Sequence, residues 1–282
     1  MSVSPSWRDH EDRPTSAPPV PGAQDRAFYV PIGDLQAGDY RRNAFAMGTA
    51  EEVAALRSMV GLRAGTRVLD VGCGDARHLR ALATEGVIGT GVDVSPGLIG
   101  AARDAARADG LDGLDGAELE LLVGDARELP QVLGARLGSF DVVWSLCQGG
   151  VGTSPVTDPE VLRGMAAALR PGGVAVVTLF HALFAARHLA PGDAFDPVHL
   201  VHHQRTEVRG PDHARETFDL WTASYTVPHA GRLLTDAGLE LLSVRGAQPG
   251  AYGRRAPGEV ALDDPELLLV ARSGQRVGEP AA

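Results

Sequence analysis

Asp70, Gly72, Gly74, Asp93 and Asp125 are the residues whose types and spacing point to chemistry in this chain. They stand at the ends of three apolar runs, Arg67 to Val71, Gly86 to Asp93 and Leu119 to Val123. Gly72 and Gly74 let the backbone turn tightly and approach a ligand without a Cβ clash. A helix opening at Ala76 turns its first amides toward the same crevice. That arrangement fits a nucleotide-like ligand. Asp70, two residues before Gly72, would repel a phosphate and suits a cation or an ammonium group. A dinucleotide fingerprint asks for a third glycine where this chain has Arg77, so the pyrophosphate reading fails at its most demanding position. Asp93, at the end of a second strand, can accept hydrogen bonds from both hydroxyls of a ribose.

The elements that position these residues follow from periodicity. Arg67–Val71 reads as a buried parallel strand, because it is apolar and β-branched. Residues 119–123, Phe140–Leu146 and Val174–Phe180 read as further strands, and Leu169-Arg-Pro-Gly-Gly173 precedes the last of them. Helices are expected over 51–60, 76–84, 96–108 and 159–169. Ser95 is the expected N-cap of the third, with Pro96 at its first position. Strands alternating with helices require a doubly wound α/β sheet. After residue 180 the rhythm changes: a short helix over 181–189, then two long strands, 200–208 and 215–227, around the turn 209–213. The helix 229–237 is closed by Gly238, and strands over 239–245 and 266–272 flank the Gly- and Pro-rich segment 246–265.

With these motifs in sequence, the chain resembles the class I S-adenosylmethionine (SAM)-dependent methyltransferases, whose first motif runs hydrophobic-hydrophobic-Asp-hydrophobic-Gly-x-Gly. The specific motifs lie within 67–180, and the organisation extends over about 48–272. The resemblance implies a seven-stranded Rossmann-like sheet carrying an inserted β-hairpin at about 199–227, with the last two strands antiparallel. It implies SAM as cofactor and methyl transfer to a small-molecule acceptor. It assigns cofactor contacts to Tyr40, Arg41, Asp70, Gly72, Gly74, Asp93, Val94, Asp125, Ala126 and Leu146. Tyr40-Arg-Arg-Asn43 is either a segment folded over the methionine moiety, with an arginine on its carboxylate, or an ordinary surface loop. No catalytic residue is assigned, because a methyl already activated by a sulfonium needs a base only if the acceptor must lose a proton.

Composition narrows the alternatives. The net charge of −10 argues against a nucleic-acid (tRNA or rRNA) methyltransferase, since phosphate binding depends on a concentrated basic face. All 26 basic residues are arginine, so lysine Schiff-base chemistry is excluded. No apolar run reaches the length of a membrane span, and no signal-peptide core is visible at the N-terminus. With two cysteines, Cys73 and Cys147, and no expected disulfide, a cytoplasmic protein is the expectation. Residues 1–25 read as a disordered leader, 26–272 as the domain and 273–282 as a flexible tail. A SAM-binding protein without catalysis remains an alternative, and an NAD(P) oxidoreductase is opposed by Asp70 and Arg77.

Thr49 and Glu52 have the spacing of a capping box. Cys147 follows the fourth strand, where cytosine-C5 methyltransferases carry a Pro-Cys-Gln nucleophile. The proline is leucine here, which favours a small buried thiol. His199, His202 and His203 would place two imidazoles on one strand face roughly 13 Å apart, too far for one metal ion, so no metal is expected. One of them, or His181, is a candidate base; an exposed strand position is the plainer reading.

Overall fold

The computed structural model describes residues 29–36, 48–111, 119–147, 149–209 and 215–274. The leader 1–25, Tyr40 and Arg41, Gln148, the 210–214 turn and the tail from 275 onward lie outside them. Apolar β-branched runs form the expected strands: β1 (Arg67–Val71), β2 (Ile88–Asp93), β3 (Leu119–Val123), β4 (Phe140–Ser145) and β5 (Leu169–His181). They lie in the order β3-β2-β1-β4-β5, all parallel. β9 (Leu239–Ala247) and β10 (Glu266–Ser273) complete the seven strands, with β10 antiparallel between β5 and β9. The strand order reverses between β1 and β4. In an open α/β sheet this places the ligand crevice beyond the carboxyl ends of these two strands.

Alternation along each strand sends side chains to two apolar layers. Leu69, Val71, Val143, Val177 and Leu269 pack with α5 (Leu129–Leu133), α6 (Asp158–Ala168) and α8 (Val227–Asp236). Val68, Val142, Trp144, Val176 and Leu268 pack with α2 (Thr49–Val60), α3 (Arg77–Ala83) and α4 (Pro96–Ala108). Asp70 therefore belongs to the face covered by α3, and it is the charged residue among the four buried positions of β1.

The insertion is larger than the expected hairpin. β7 (Val201–Arg209) and β8 (Arg215–Tyr225) pair antiparallel, and a third strand, β6 (Ala194–Asp196), adds to β7. The short run Ala-Phe-Asp carries no strand signal alone, and pairing with β7 makes it one. β8 joins β5 in parallel through Phe180–Ser224 and His181–Tyr225, so the sheet has ten strands. The helix α7 (Ala182–Arg187) connects β5 to the insertion. At the other end of the described chain, α1 (Tyr29–Gln36) packs on both α4 and β7, so the insertion reaches back over the crevice.

Three local expectations are corrected. α3 begins at Arg77, because Ala76 takes the left-handed conformation (φ 55°) as its N-cap. Thr49 and Glu52 form no capping box: Gly48 is the N-cap with no side-chain bond, and Glu52 points into the interior. β10 runs through Ser273, which removes the first residue from the expected tail.

Candidate functional site

The glycine turn after β1 is held by main-chain and carboxylate bonds. Gly72 and Cys73 donate their amides to the Val92 carbonyl at 2.8 and 3.1 Å. Gly74 donates its amide to Asp93 Oδ2 and Ser95 donates to Asp93 Oδ1, both at 2.9 Å. Asp93 thus organises the turn while each of its oxygens keeps acceptor capacity for a ligand. Burial pushes its carboxyl up from the usual carboxylate range, against the amide bonds that lower it.

Gly72 (φ 77°) makes room for chain. A Cβ there would stand 2.0 Å from the Gly149 carbonyl carbon, so the loop after β4 lies directly against the turn. Gly72→Ala is expected to cost about 2–3 kcal/mol, from left-handed strain plus overpacking against a main chain that cannot yield. Denaturant unfolding measures it; a loss under 1 kcal/mol would show that the close approach is not needed.

Asp70 is 2% exposed, and its Oδ2 is buried with no hydrogen-bond partner among the described residues. Burial pushes its carboxyl up to about 6, with nearby His78 and the neighbouring Trp144 indole working in the opposite direction. A buried carboxylate oxygen with an open acceptor position beside a glycine turn is a receptor for a cation or an ammonium donor.

Beyond Asp93 opens a cavity of about 530 Å³, lined by Val94, by Val123 to Asp125 and by Val30 and Pro31 of α1. Its walls are mainly apolar, as a flat heterocycle requires. α1 is tied over it: Asp34 Oδ1 accepts from Ser95 Oγ at 2.7 Å and from the Gly97 amide at 3.0 Å. α1 has little amphipathic pattern of its own, and the sequence signal for its place is Asp34, an acidic residue able to meet the free amides at the start of α4. Asp125 lines the cavity, yet its carboxylate is already engaged by Arg127, whose Nε and Nη2 donate at 2.9 and 2.7 Å. Ala126 opens the 3-10 turn Ala126–Glu128 behind it. Leu146 is buried in the apolar layer shared with Trp144 and Tyr252.

A second polar assembly, spread across the chain, stands behind the turn. Glu52, fully buried, accepts from Arg77 Nη1 (2.5 Å) and His78 Nε2 (2.8 Å) on one oxygen and from the Gly250 amide (2.7 Å) on the other. Burial would raise its carboxyl, but the bonds from His78 and Arg77 outweigh that and hold it below the usual range. Arg77 also reaches Cys147 Sγ at 3.3 Å, and Sγ lies 3.2 Å from the Tyr252 hydroxyl. Cys147 sits at φ 51°, held by its amide bond to Thr178 Oγ1 at 2.8 Å. Burial pushes its thiol up to about 12. This is a positioned thiol and not an activated nucleophile. At the start of α6, which ends this loop, buried Asp158 accepts from the Gly152 amide and the Tyr225 hydroxyl at 2.9 and 2.5 Å, tying the loop to β8.

The histidines separate. His199 precedes β7 and pairs with Asp196 (2.6 Å), His202 pairs with Asp193 (2.9 Å), and His203 pairs with Asp219 (3.0 Å) and stacks on Trp221. His181 is buried, its Nδ1 donating to the Asp264 carbonyl at 3.0 Å. No group of three or more potential metal ligands occurs among the described residues.

A family model for a methyltransferase domain matches residues 68–173, the stretch holding the glycine turn, Asp93, Asp125 and the loop after β4. The matched stretch is thus similar to a methyltransferase domain. Over 122 residues it is 38% identical to 27-O-demethylrifamycin SV methyltransferase of Amycolatopsis mediterranei, covering 42% of this chain and 40% of that protein. Over 111 residues it is 34% identical to a ubiquinone biosynthesis O-methyltransferase of Coxiella burnetii, covering 39% and 41%. The matches thus span about two fifths of the curated relatives' length. The fold of the CcbJ methyltransferase from Streptomyces caelestis superposes with a TM-score of 0.68 at 21% identity, covering 86% of this chain and 98% of that one.

SAM is the cofactor of this methyltransferase family, and the residues present fit it. The open Asp70 oxygen suits its ammonium, Asp93 suits a ribose diol, and the cavity under α1 suits an adenine. No helix among the described residues is long and apolar enough to cross a membrane.

Proposed function

We propose that this methyltransferase domain transfers the methyl group of SAM to a hydroxyl of a small-molecule acceptor, releasing S-adenosylhomocysteine. The observation that carries the reading is the buried Asp70 oxygen without a hydrogen-bond partner beside a glycine turn whose Gly74 amide is held by Asp93. The similarity to two enzymes named for O-methylation supports a hydroxyl acceptor. The net charge of −10 favours a small molecule over a nucleic acid, and two free cysteines accord with a cytoplasmic setting.

SAM supplies a methyl group already activated by its sulfonium. The chain's own residues hold and align. Asp70 neutralises a cation in the turn, Asp93 orients the diol, and Val30, Pro31 and Val94 wall off water. Val94, Asp125 and Ala126 frame the adenine end. Leu146 backs the loop whose Gly149 abuts the turn. Tyr40 and Arg41, which lie outside the described residues, are proposed contacts for the methionine end on their place in the sequence alone. Alignment and exclusion of water account for most of the acceleration such a displacement needs.

The test is release of S-adenosylhomocysteine with a panel of phenols and alcohols, with bulk tRNA in parallel. Small-molecule-dependent release is expected, with at least a tenfold weaker KM for SAM in Asp93→Ala, since two bonds to a buried carboxylate are lost. Release that depends on tRNA, or on no acceptor at all, would overturn the reading.

A further inference from the structure

The inserted sheet offers more than a cover. Ser224 faces Phe180 in register, and Thr178 lies two residues earlier on β5. With the two-residue period of strands, Ser224, Thr222, Leu220 and Phe218 continue the sheet face of Thr178. Thr178 is the residue that holds Cys147, whose loop abuts the glycine turn. His202 stands directly opposite Thr222, so it shares this face. β8 runs parallel to β5, so Thr222 and His202 lie back from the Phe180–Ser224 pair, toward Thr178 and the end of β4.

His202 Nε2 lies 2.9 Å from Asp193 Oδ2, and both side chains are mostly buried, at 18% and 14% exposure. A carboxylate only accepts, so Nε2 carries the proton and Nδ1 carries the lone pair. Nδ1 has no protein partner among the described residues. Asp193 also accepts the Ala190 amide, which fixes the carboxylate in place. The two other histidines of the insertion do not meet these conditions. His203 lies on the opposite face with Val201 and Ala223 and is covered by Trp221. His199 lies outside the strands and is exposed.

We propose that His202 is the general base for the acceptor hydroxyl and Asp193 its positioning residue, an inference that rests on the O-methylation reading above. The acceptor O–H bond breaks and its proton goes to His202 Nδ1. The oxygen's electron pair forms the new O–CH3 bond as the S–CH3 bond breaks and its pair returns to sulfur. The imidazolium is stabilised by Asp193.

Two readouts test this. In the cofactor-free protein, ¹⁵N imidazole spectra should show His202 as the Nε2–H tautomer, and Asp193→Asn should lose that preference. With SAM and an acceptor panel including catechol and 4-nitrocatechol, His202→Gln should lower kcat for catechol about a hundredfold with SAM affinity unchanged. The loss should be under tenfold for the more acidic 4-nitrocatechol, which needs less help to ionise. His203→Gln, which alters the dyad on the other face, should leave the ratio between the two acceptors unchanged. Equal losses for both acceptors in His202→Gln, or a kcat for catechol within threefold of wild type, would overturn the assignment while leaving O-methylation intact. Methylation of no phenol or alcohol by a wild-type protein that binds SAM would overturn the O-methylation reading, and this inference with it.

Discussion

Glu52→Ala should lower the stability of the protein by about 3–5 kcal/mol, the cost of leaving a buried charge without its partner. Arg77 and His78 would both lose the carboxylate, and so would the Gly250 amide, 198 residues away in sequence. The effect should exceed that of an apolar cavity of similar volume, because two cationic or polar donors would remain without water to replace the acceptor. The sign with pH follows from the lowered carboxyl of Glu52. Its contribution is in place above the ordinary glutamate range and is lost as pH falls through the lowered value. Denaturant titration at pH 7.5 and pH 4 measures both. A wild-type advantage below 1 kcal/mol, or one that grows on acidification, would mean that the network does not hold α2, α3 and the 248–265 segment together.

Asp70→Asn should act in opposite directions on the two states of the protein. Without cofactor, a carboxyl pushed up to about 6 by burial is ionised at a cost at neutral pH. A raised carboxyl contributes stability that is fully present below its unfolded value and lost as pH rises through about 6. The Asn variant avoids that loss, so the cofactor-free protein should be about 2 kcal/mol more stable than wild type at pH 7.5. The advantage should shrink toward pH 5. With cofactor, the same substitution removes the charge of a buried carboxylate whose Oδ2 has no hydrogen-bond partner among the described residues. SAM affinity should fall about a thousandfold, ~4 kcal/mol for truncating one partner of a desolvated charge pair. Wild-type affinity should itself weaken roughly tenfold from pH 7.5 to pH 5 as Asp70 protonates, and the variant should lack this dependence. Calorimetric titration with SAM across pH gives both results. Unchanged affinity in Asp70→Asn would show that Asp70 serves only the fold.

What could be read in the sequence was what is encoded locally. A strand, a glycine turn and a helix occupy some fifteen consecutive residues, and each step follows from neighbours in the chain. Asp93 at the end of β2 and the Ser95–Pro96 start of α4 are of the same kind, and the structure has Ser95 Oγ accepting the Leu98 amide. What could not be read depends on residues brought together by the fold. Local spacing makes Glu52 look like the far end of a capping box, while its actual partners come from α3 and from a loop near the C-terminus. Asp125 looks like a free carboxylate until Arg127 turns back onto it. β6 is a strand only because β7 lies beside it. Ala76 enters a left-handed turn that its own chemistry disfavours, held there by its burial. The three histidines looked like one cluster, but strand alternation and the start of β7 send them to three different environments.

Thermal unfolding with SAM, S-adenosylhomocysteine and NADH, each at a hundredfold excess over its dissociation constant or at millimolar concentration where none is measurable, tests the central claim most directly. SAM and S-adenosylhomocysteine should each add about 2.7 kcal/mol of stability, and NADH should add none. Stabilisation by NADH alone, or by none of the three, would contradict the assignment of the glycine turn, Asp70 and Asp93 to SAM.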